Sequence, residues 1–391
     1  MTETSILDSV NTKTNDPNFP IFNALQSKEH EQVVLCSDPE TGLRAIIAIH
    51  DTTLGPALGG TRMWNYESEQ AALKDVLRLS RGMTYKAAIT GLNLGGGKAV
   101  IIGDPRKDKS EALFRAFGRF VDGLGGRYIT AEDVGMEEKN MEWVYSETKF
   151  VTGIPKAMGG SGNPSPVTGF GVYMGAKACA KKAFGSDSLK GKRIALQGAG
   201  NVASHFARHA AKEGAKLFIS DIYEDKANEL ANELGAEVVA PDAIYGLDVD
   251  IFTPCALGGV INDETMELFK CPVIAGGANN VLDDEDKHGK MLQDKGIIYA
   301  PDYVINAGGL INVAGELEGY NEQRCLDKAA QIYDTILNIL KYAEEHKIPT
   351  HKASNILAEQ RIASVGKIHK IYSSKGHFSG RLGEMYLTDR R

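Results

Sequence analysis

The segment from Arg193 to Asp221 constrains the fold more than any other in the chain. It reads as an apolar strand (Arg193-Ile194-Ala195-Leu196-Gln197), a turn Gly198-Ala199-Gly200-Asn201-Val202-Ala203 opening a helix through Phe206, Ala210 and Ala211, and a second strand, Lys216-Leu217-Phe218-Ile219-Ser220. A Gly-x-Gly-x-x-Ala turn between strand and helix, with an acid (Asp221) 21 positions past Gly200, is the setting that a dinucleotide-binding βαβ unit requires. Gly198 and Gly200 allow the turn and let a pyrophosphate reach the amides of Asn201 and Val202 at the helix N-terminus. Asp221 can accept both ribose hydroxyls of the adenosine half and would repel a 2′-phosphate, which favours NAD over NADP; its other role would be to cap the next helix.

Three further strands, at 249–252, 272–275 and 297–300, extend the same pattern into a doubly wound α/β sheet. Each ends in a loop suited to ligands: Thr253 to Gly258, with Cys255 and Ala256; Gly276 to Asn280, with Asn279; and Asn306 to Leu310. Cys255 and Cys271 read equally as small buried residues beside strands, and Asn280 as support for its turn. Helices are expected from about Arg324 to about Ser364. The passage Gly159-Gly160-Ser161-Gly162-Asn163-Pro164-Ser165-Pro166 marks a linker or hinge.

The first part of the chain has different content. After a polar lead-in at 1–20, an amphipathic start (Ile21, Phe22, Leu25) precedes a hairpin at 32–50, whose apolar edge offers a pairing surface. The glycine-rich passage 54–62 contains Leu58 and Gly59 and reads as a pocket-lining loop. A helix is expected from Glu67 to Met83, from the spacing of Leu73, Val76, Leu77, Leu79 and Met83, with Lys86 at or just past its end. Lys98 comes after three glycines and precedes the strand Ala99-Val100-Ile101-Ile102; the glycines are expected to permit positive φ and close approach to a ligand. A partly desolvated ammonium releases its proton more readily, as a general base must; two such lysines could divide the work, one pairing with a substrate anion and one exchanging protons. The alternative is that both snorkel to the surface. Ser110 can cap a helix through Leu113, Phe114, Phe117 and Val121 to Gly123. A strand at 127–130 then delivers Asp133, which either projects into a cleft or caps the next helix.

A formal net charge of -7 argues against nucleic acid or an anionic membrane as partner, and points to a small molecule. Five dispersed cysteines suggest neither a disulfide framework nor a zinc site, and no metal is expected. No secretory signal and no apolar run of membrane-spanning length is evident, so a reducing, cytoplasmic location is expected.

From about Val33 to about Ser364 the chain resembles the Glu/Leu/Phe/Val dehydrogenase family, most closely its leucine dehydrogenase branch. The motifs are Gly-Pro-Ala-Leu-Gly-Gly-Thr-Arg-Met-Trp (55–64), Gly-Met-Thr-Tyr-Lys (82–86), Leu-Gly-Gly-Gly-Lys (94–98), Thr-Ala-Glu-Asp-Val-Gly (130–135), Gly-Ala-Gly-Asn-Val-Ala (198–203) and Gly-Ala-Asn-Asn (277–280). The resemblance implies two α/β domains with a hinged cleft between them: an N-terminal substrate and oligomerisation domain (1–152, joined by 350–391) and a Rossmann NAD-binding domain (153–349). It implies that Lys86 binds the substrate α-carboxylate, Lys98 is the base that activates water, Asp133 shuttles a proton to or from the substrate nitrogen, and Thr168 and Asn279 lie near the nicotinamide. The implied reaction is reversible NAD-dependent oxidative deamination of branched-chain L-amino acids (leucine, isoleucine, valine) to 2-oxo acids and ammonium, in a homo-oligomer, an octamer by resemblance.

Glutamate-specific members of the family carry a lysine directly before the Gly-Gly, where this chain has Leu58. A carboxylate buried there without a partner would cost several kcal/mol. By the same resemblance Gly59, Ala131, Leu310 and Val313 complete an apolar substrate site. The competing expectations are a phenylalanine or valine dehydrogenase of the same family, a catalytically silent NAD-binding protein, and a hydroxy-acid dehydrogenase. The last needs a His-carboxylate base, whereas His205 and His209 read as surface residues.

Overall fold

The computed structural model describes residues 21–370; the expected lead-in at 1–20 and the end of the polar tail lie outside the described residues. The chain divides into two units, one of residues 21–84 and Leu94–Ile154, the other of Tyr85–Asn93 and residues 155–370.

The first unit holds α1 (Ile21–Gln26), β1 (Gln32–Asp38), β2 (Leu43–Asp51), β3 (Ala57–Trp64), most of α2 (Glu69–Ile89), β4 (Gly95–Ile102), α3 (Glu111–Asp122), β5 (Tyr128–Glu132) and α4 (Glu138–Tyr145). The sheet order is β1-β2-β4-β3-β5, with β2 antiparallel to β1 and β4, and β3 parallel to β4 and β5. Helix α2 packs Ala72, Leu73, Val76 and Leu77 on Ile46, Ala48 and Val100 of the sheet. Fully burying each large aliphatic of such a face stabilises the fold by about 1.5–3 kcal/mol. Ser110 caps α3 as expected, its hydroxyl accepting from the Leu113 amide at 3.2 Å.

Two expectations are corrected by these strands. The glycine-rich passage 54–62 is largely strand: β3 begins at Ala57 and is buried through Thr61. The triple glycine is also strand, with no positive φ, because β4 begins at Gly95. Close approach explains it, but to the protein itself. A Cβ on Gly96 would stand 2.1 Å from the Thr84 amide of α2, and one on Gly97 would stand 2.7 Å from the Tyr128 ring.

The second unit contains α5 (Ser165–Phe184), β6 (Arg193–Gln197), α6 (Asn201–Glu213), β7 (Lys216–Ser220), α7 (Glu224–Leu234), β8 (Glu237–Val238), β9 (Ile251–Pro254), β10 (Val273–Ile274), α8 (Glu285–Asp294), β11 (Ile298–Tyr299), α9 (Asp302–Ile305), α10 (Gly308–Ala314), α11 (Glu322–Ala330), α12 (Ile332–His346) and α13 (Thr350–Gly366). Its sheet is wholly parallel, in the order β11-β10-β9-β6-β7-β8. This is the expected doubly wound arrangement, with strand order reversing between β6 and β9, where a ligand crevice forms at the carboxyl ends. The grouping differs from the expected domain limits: residues 350–370 fall with this unit, where α13 packs on α12 and α8, and so do Tyr85–Asn93. Among the described residues no helix is long and apolar enough to cross a membrane.

Candidate active site

In the first unit, Lys98 lies within β4, opposite Ala48 of β2. It is only 5% exposed, so the snorkelling alternative does not hold for it. Its Nζ pairs with Asp133 Oδ2 at 2.9 Å, just past the end of β5. The Arg62 Nε donates to the same oxygen at 3.1 Å. Among the described residues no hydrogen bond reaches Asp133 Oδ1, which leaves that oxygen for a ligand. Burial opposes the Asp133 charge, but Lys98 and Arg62 prevail and hold its carboxyl below the usual carboxylate range.

The strands around this pair are locked from behind. The Tyr128 hydroxyl donates to the Gly59 carbonyl at 2.6 Å, and the hydroxyls of Thr61 and Thr130 are 2.6 Å apart. Leu58 is 1% exposed and Ala131 6% exposed. Leu58 to Thr61 run alongside Ile129 to Glu132 in parallel register, so Leu58, Gly59 and Ala131 belong with Lys98 and Asp133 in one unit.

In the second unit, Lys86 lies in the last turn of α2, which continues past the expected end at Met83 to Ile89. Helix α13 secures that turn: Arg361 donates to the carbonyls of Ala88 and Leu92 at 3.2 and 2.7 Å, and the Tyr85 hydroxyl to Glu359 at 2.6 Å. The Ala88 carbonyl lies in the last turn of the helix and the Leu92 carbonyl just past its end. Lys86 Nζ donates to Asn306 Oδ1 at 2.8 Å, and Asn306 Nδ2 to Asn279 Oδ1 at 2.6 Å. Burial raises the Asp302 carboxyl above its ordinary range, opposed by the bond from the Val281 amide and by the Lys86 charge. Thr168 is anchored in the first turn of α5, its hydroxyl donating to the Pro164 carbonyl at 2.9 Å. A Cβ on Gly309 would stand 3.3 Å from that hydroxyl oxygen. Leu310 and Val313 lie on α10, the first buried and the second half-buried.

The nucleotide elements of this unit also converge. Gly198 takes φ +99, and a Cβ there would be 3.1 Å from the Cys255 carbonyl and 3.2 Å from the Ala256 Cβ. Gly277 approaches Val202, and its amide donates to Cys255 Sγ at 3.3 Å. Burial pushes the Cys255 thiol up to about 12, consistent with a packing role. Asp221 is bound on both oxygens, by the Ala199 amide at 2.7 Å and the Tyr223 amide at 2.9 Å, so it braces the glycine turn and also caps the adjoining segment. The residues fit a dinucleotide. No side chain caps Asn201–Glu213, and apart from chain neighbours no heavy atom lies within 4 Å of where a Cβ on Gly200 would stand. Open amides at a helix N-terminus with space above them suit a pyrophosphate. Asn280, at φ +50, supports its turn as expected. His205 and His209 are half-buried, and His209 stacks on Tyr173 at 5.3 Å between ring centroids, so these two are packing residues more than surface ones.

Sequence reasoning does not single out Arg62, Asn306 or Asp302. Arg62 lies inside a family motif and Asn306 opens a loop suited to ligands, so both carry a signal; Asp302 has no local one.

Residues 30–150 match the model of the Glu/Leu/Phe/Val dehydrogenase dimerisation domain, and residues 159–223 and 219–369 that of Glutamate/Leucine/Phenylalanine/Valine dehydrogenase. The leucine dehydrogenase of Geobacillus stearothermophilus is 58% identical over 357 residues, covering 91% of this chain and 97% of that one. The phenylalanine dehydrogenase of Bacillus thermotolerans is 51% identical over 360 residues, covering 91% and 94%. The crystal structure of L-tryptophan dehydrogenase from Nostoc punctiforme is similar with a TM-score of 0.80 and 47% identity, covering 88% of this chain and 99% of that one. Family models that match both units, and relatives of this identity aligned along nearly their whole length, identify the chain as an amino-acid dehydrogenase that belongs to the Glu/Leu/Phe/Val dehydrogenase family.

Proposed function

We propose that the chain catalyses the reversible, NAD-dependent oxidative deamination of branched-chain L-amino acids to 2-oxo acids and ammonium. The observation that carries the reading is the buried Lys98–Asp133 pair with its open Oδ1. Lys86, steadied by Asn306, holds the substrate α-carboxylate. Gly198, Gly200 and the first turn of α6 would hold the pyrophosphate, Asp221 the adenosine ribose, and Thr168 and Asn279 the nicotinamide end. The bound nicotinamide supplies the hydride acceptor.

The protein's own groups manage the protons. A substrate ammonium must lose a proton before its nitrogen lone pair can assist departure of the Cα hydride. Asp133 Oδ1 takes that proton, and its neutralisation weakens the hold on Lys98, which then gives up its own proton to solvent. Neutral Lys98 removes a proton from the water that attacks the iminium carbon, and Asp133 returns its proton to the carbinolamine nitrogen. As the C–N bond breaks, the hydroxyl proton passes to the departing ammonia, leaving the 2-oxo acid and ammonium. Leu58, fully buried, offers no partner to a distal carboxylate, so glutamate is excluded. Phenylalanine is the second reading, favoured by the 51% identity to a phenylalanine dehydrogenase. The working form is read as a homo-oligomer, an octamer by resemblance, in a reducing cytoplasm where the five cysteines stay free.

NADH formation at alkaline pH from a panel of L-amino acids tests this reading. Leucine, isoleucine and valine are all expected to turn over, with kcat/KM values within about 10–200-fold of one another, since one methylene in an apolar pocket is worth about 1–3 kcal/mol. Preferential turnover of phenylalanine would establish the second reading, and turnover of glutamate would contradict the role of Leu58.

A further inference from the structure

We propose that Arg62 is a positioning residue that governs how readily Lys98 gives up its proton, by sharing Asp133 with it. The proposal rests on the reading of Lys98 as the base. Both cations take one oxygen, Asp133 Oδ2, Lys98 at 2.9 Å and Arg62 at 3.1 Å. They differ in kind: a guanidinium stays charged throughout the working pH range, whereas an ammonium can deprotonate. A lysine that had the carboxylate to itself would keep its proton. A fixed second cation on the same oxygen draws off part of that attraction and repels the ammonium, so it favours the neutral amine.

Arg62 is itself held from the other side. Its Nη1 donates to Asp75 Oδ2 at 2.9 Å, the oxygen that also accepts from the Tyr66 hydroxyl at 2.7 Å. Arg78 donates to Asp75 Oδ1 at 3.2 Å. Asp75 therefore offsets part of the Arg62 charge, and the side chains of Arg62 and Asp75 are only 21% and 16% exposed, where solvent screens them weakly. Burial works against the Arg62 charge, yet Asp133 and Asp75 together hold its proton more firmly than usual. The charged and titratable groups facing the cluster are Lys98 from β4, Arg62 from β3, Tyr66 before α2, Asp75 and Arg78 on α2, Tyr128 and Glu132 on β5, and Asp133. Arg62 and Asp75 should thus act on Lys98 with opposite sign.

The test is the pH dependence of kcat/KM for leucine deamination at saturating NAD, in the wild type and in Arg62→Met, Asp75→Asn and Lys98→Ala. Titration of the free substrate is common to all four, so differences belong to the protein. Arg62→Met is expected to move the acid limb to higher pH by about one unit or more, and Asp75→Asn to move it to lower pH. If Lys98→Ala loses turnover while the other two variants leave the limb in place or move it in the same direction, the Arg62 role is wrong and the base assignment stands. If Lys98→Ala keeps both turnover and the wild-type limb, the base assignment itself fails. Should Arg62→Met not fold, the direction of the Asp75→Asn shift decides alone.

Discussion

Asp221 carries two loads that separate on substitution. One oxygen braces the Gly198–Gly200 turn through the Ala199 amide, and in the proposed cofactor reading the charge would repel a 2′-phosphate. Asp221→Asn keeps an oxygen for the Ala199 amide, gives up the one that accepts from the Tyr223 amide, and removes the charge. A like-charge contact at about 4 Å costs about 1–4 kcal/mol in a partly wet site, so the preference for NAD over NADP is expected to fall by about five- to a thousandfold. Steady-state kcat/KM with each cofactor measures this, and an unchanged preference would leave Asp221 as a turn residue alone. At this scale the sequence is most informative where function depends on local spacing. Asp221, Gly198 and Lys98 stand out because a turn, a strand and a glycine run flank them. Arg62 does not, because its importance lies in Asp75 and Asp133, 13 and 71 positions away.

Among the elements, α2 and β2 carry a pH-sensitive joint that no motif announces. His50 Nε2 lies 3.0 Å from the Lys28 carbonyl and so must donate there, which leaves Nδ1 to accept from the Thr84 hydroxyl at 2.8 Å. His30 meets it edge to face, with ring centroids 4.8 Å apart, and donates to the Leu77 carbonyl. Burial, with Arg81 nearby, lowers His50 to about 4, and burial with the neighbouring His50 lowers His30 to about 4. Both rings are therefore neutral in the fold. As pH drops from about 6.5 to about 4 the unfolded chain binds protons that the folded chain does not, so stability falls across that window and levels off below it. For His50 alone the loss is roughly 3 kcal/mol. Urea unfolding between pH 7 and pH 4 should show a steeper decline for the wild type than for His50→Gln; equal slopes would contradict the neutral joint. The expected β6, α6 and β7 match closely because each has one dominant period. The glycine passages at 54–62 and 95–97 are strands where the sequence suggests a loop and a turn, since glycine composition cannot tell a loop from a strand pressed against Thr84 or Tyr128.

On the scale of the whole molecule, the family match covers both units, and the residues of the proposed function fall in both, Lys98 and Asp133 in one and Lys86, Asn306 and the Gly198–Gly200 turn in the other. The Lys86–Asn306 bond joins residues 220 positions apart, and no period or motif in the sequence indicates it. Residue types and the two kinds of domain are legible in the chain; the charge pairings that tune them need the fold. Deamination as proposed depends most on Lys98 and Asp133 acting together on nitrogen and water. The decisive measurement is ammonium released per NADH formed from leucine and NAD, by the wild type, Lys98→Ala and Asp133→Asn at one alkaline pH. One ammonium per NADH is expected for the wild type, and a loss of about 10²–10⁴ in kcat for each variant with the fold retained. Either variant turning over within a few-fold of the wild type would contradict the joint role of the pair.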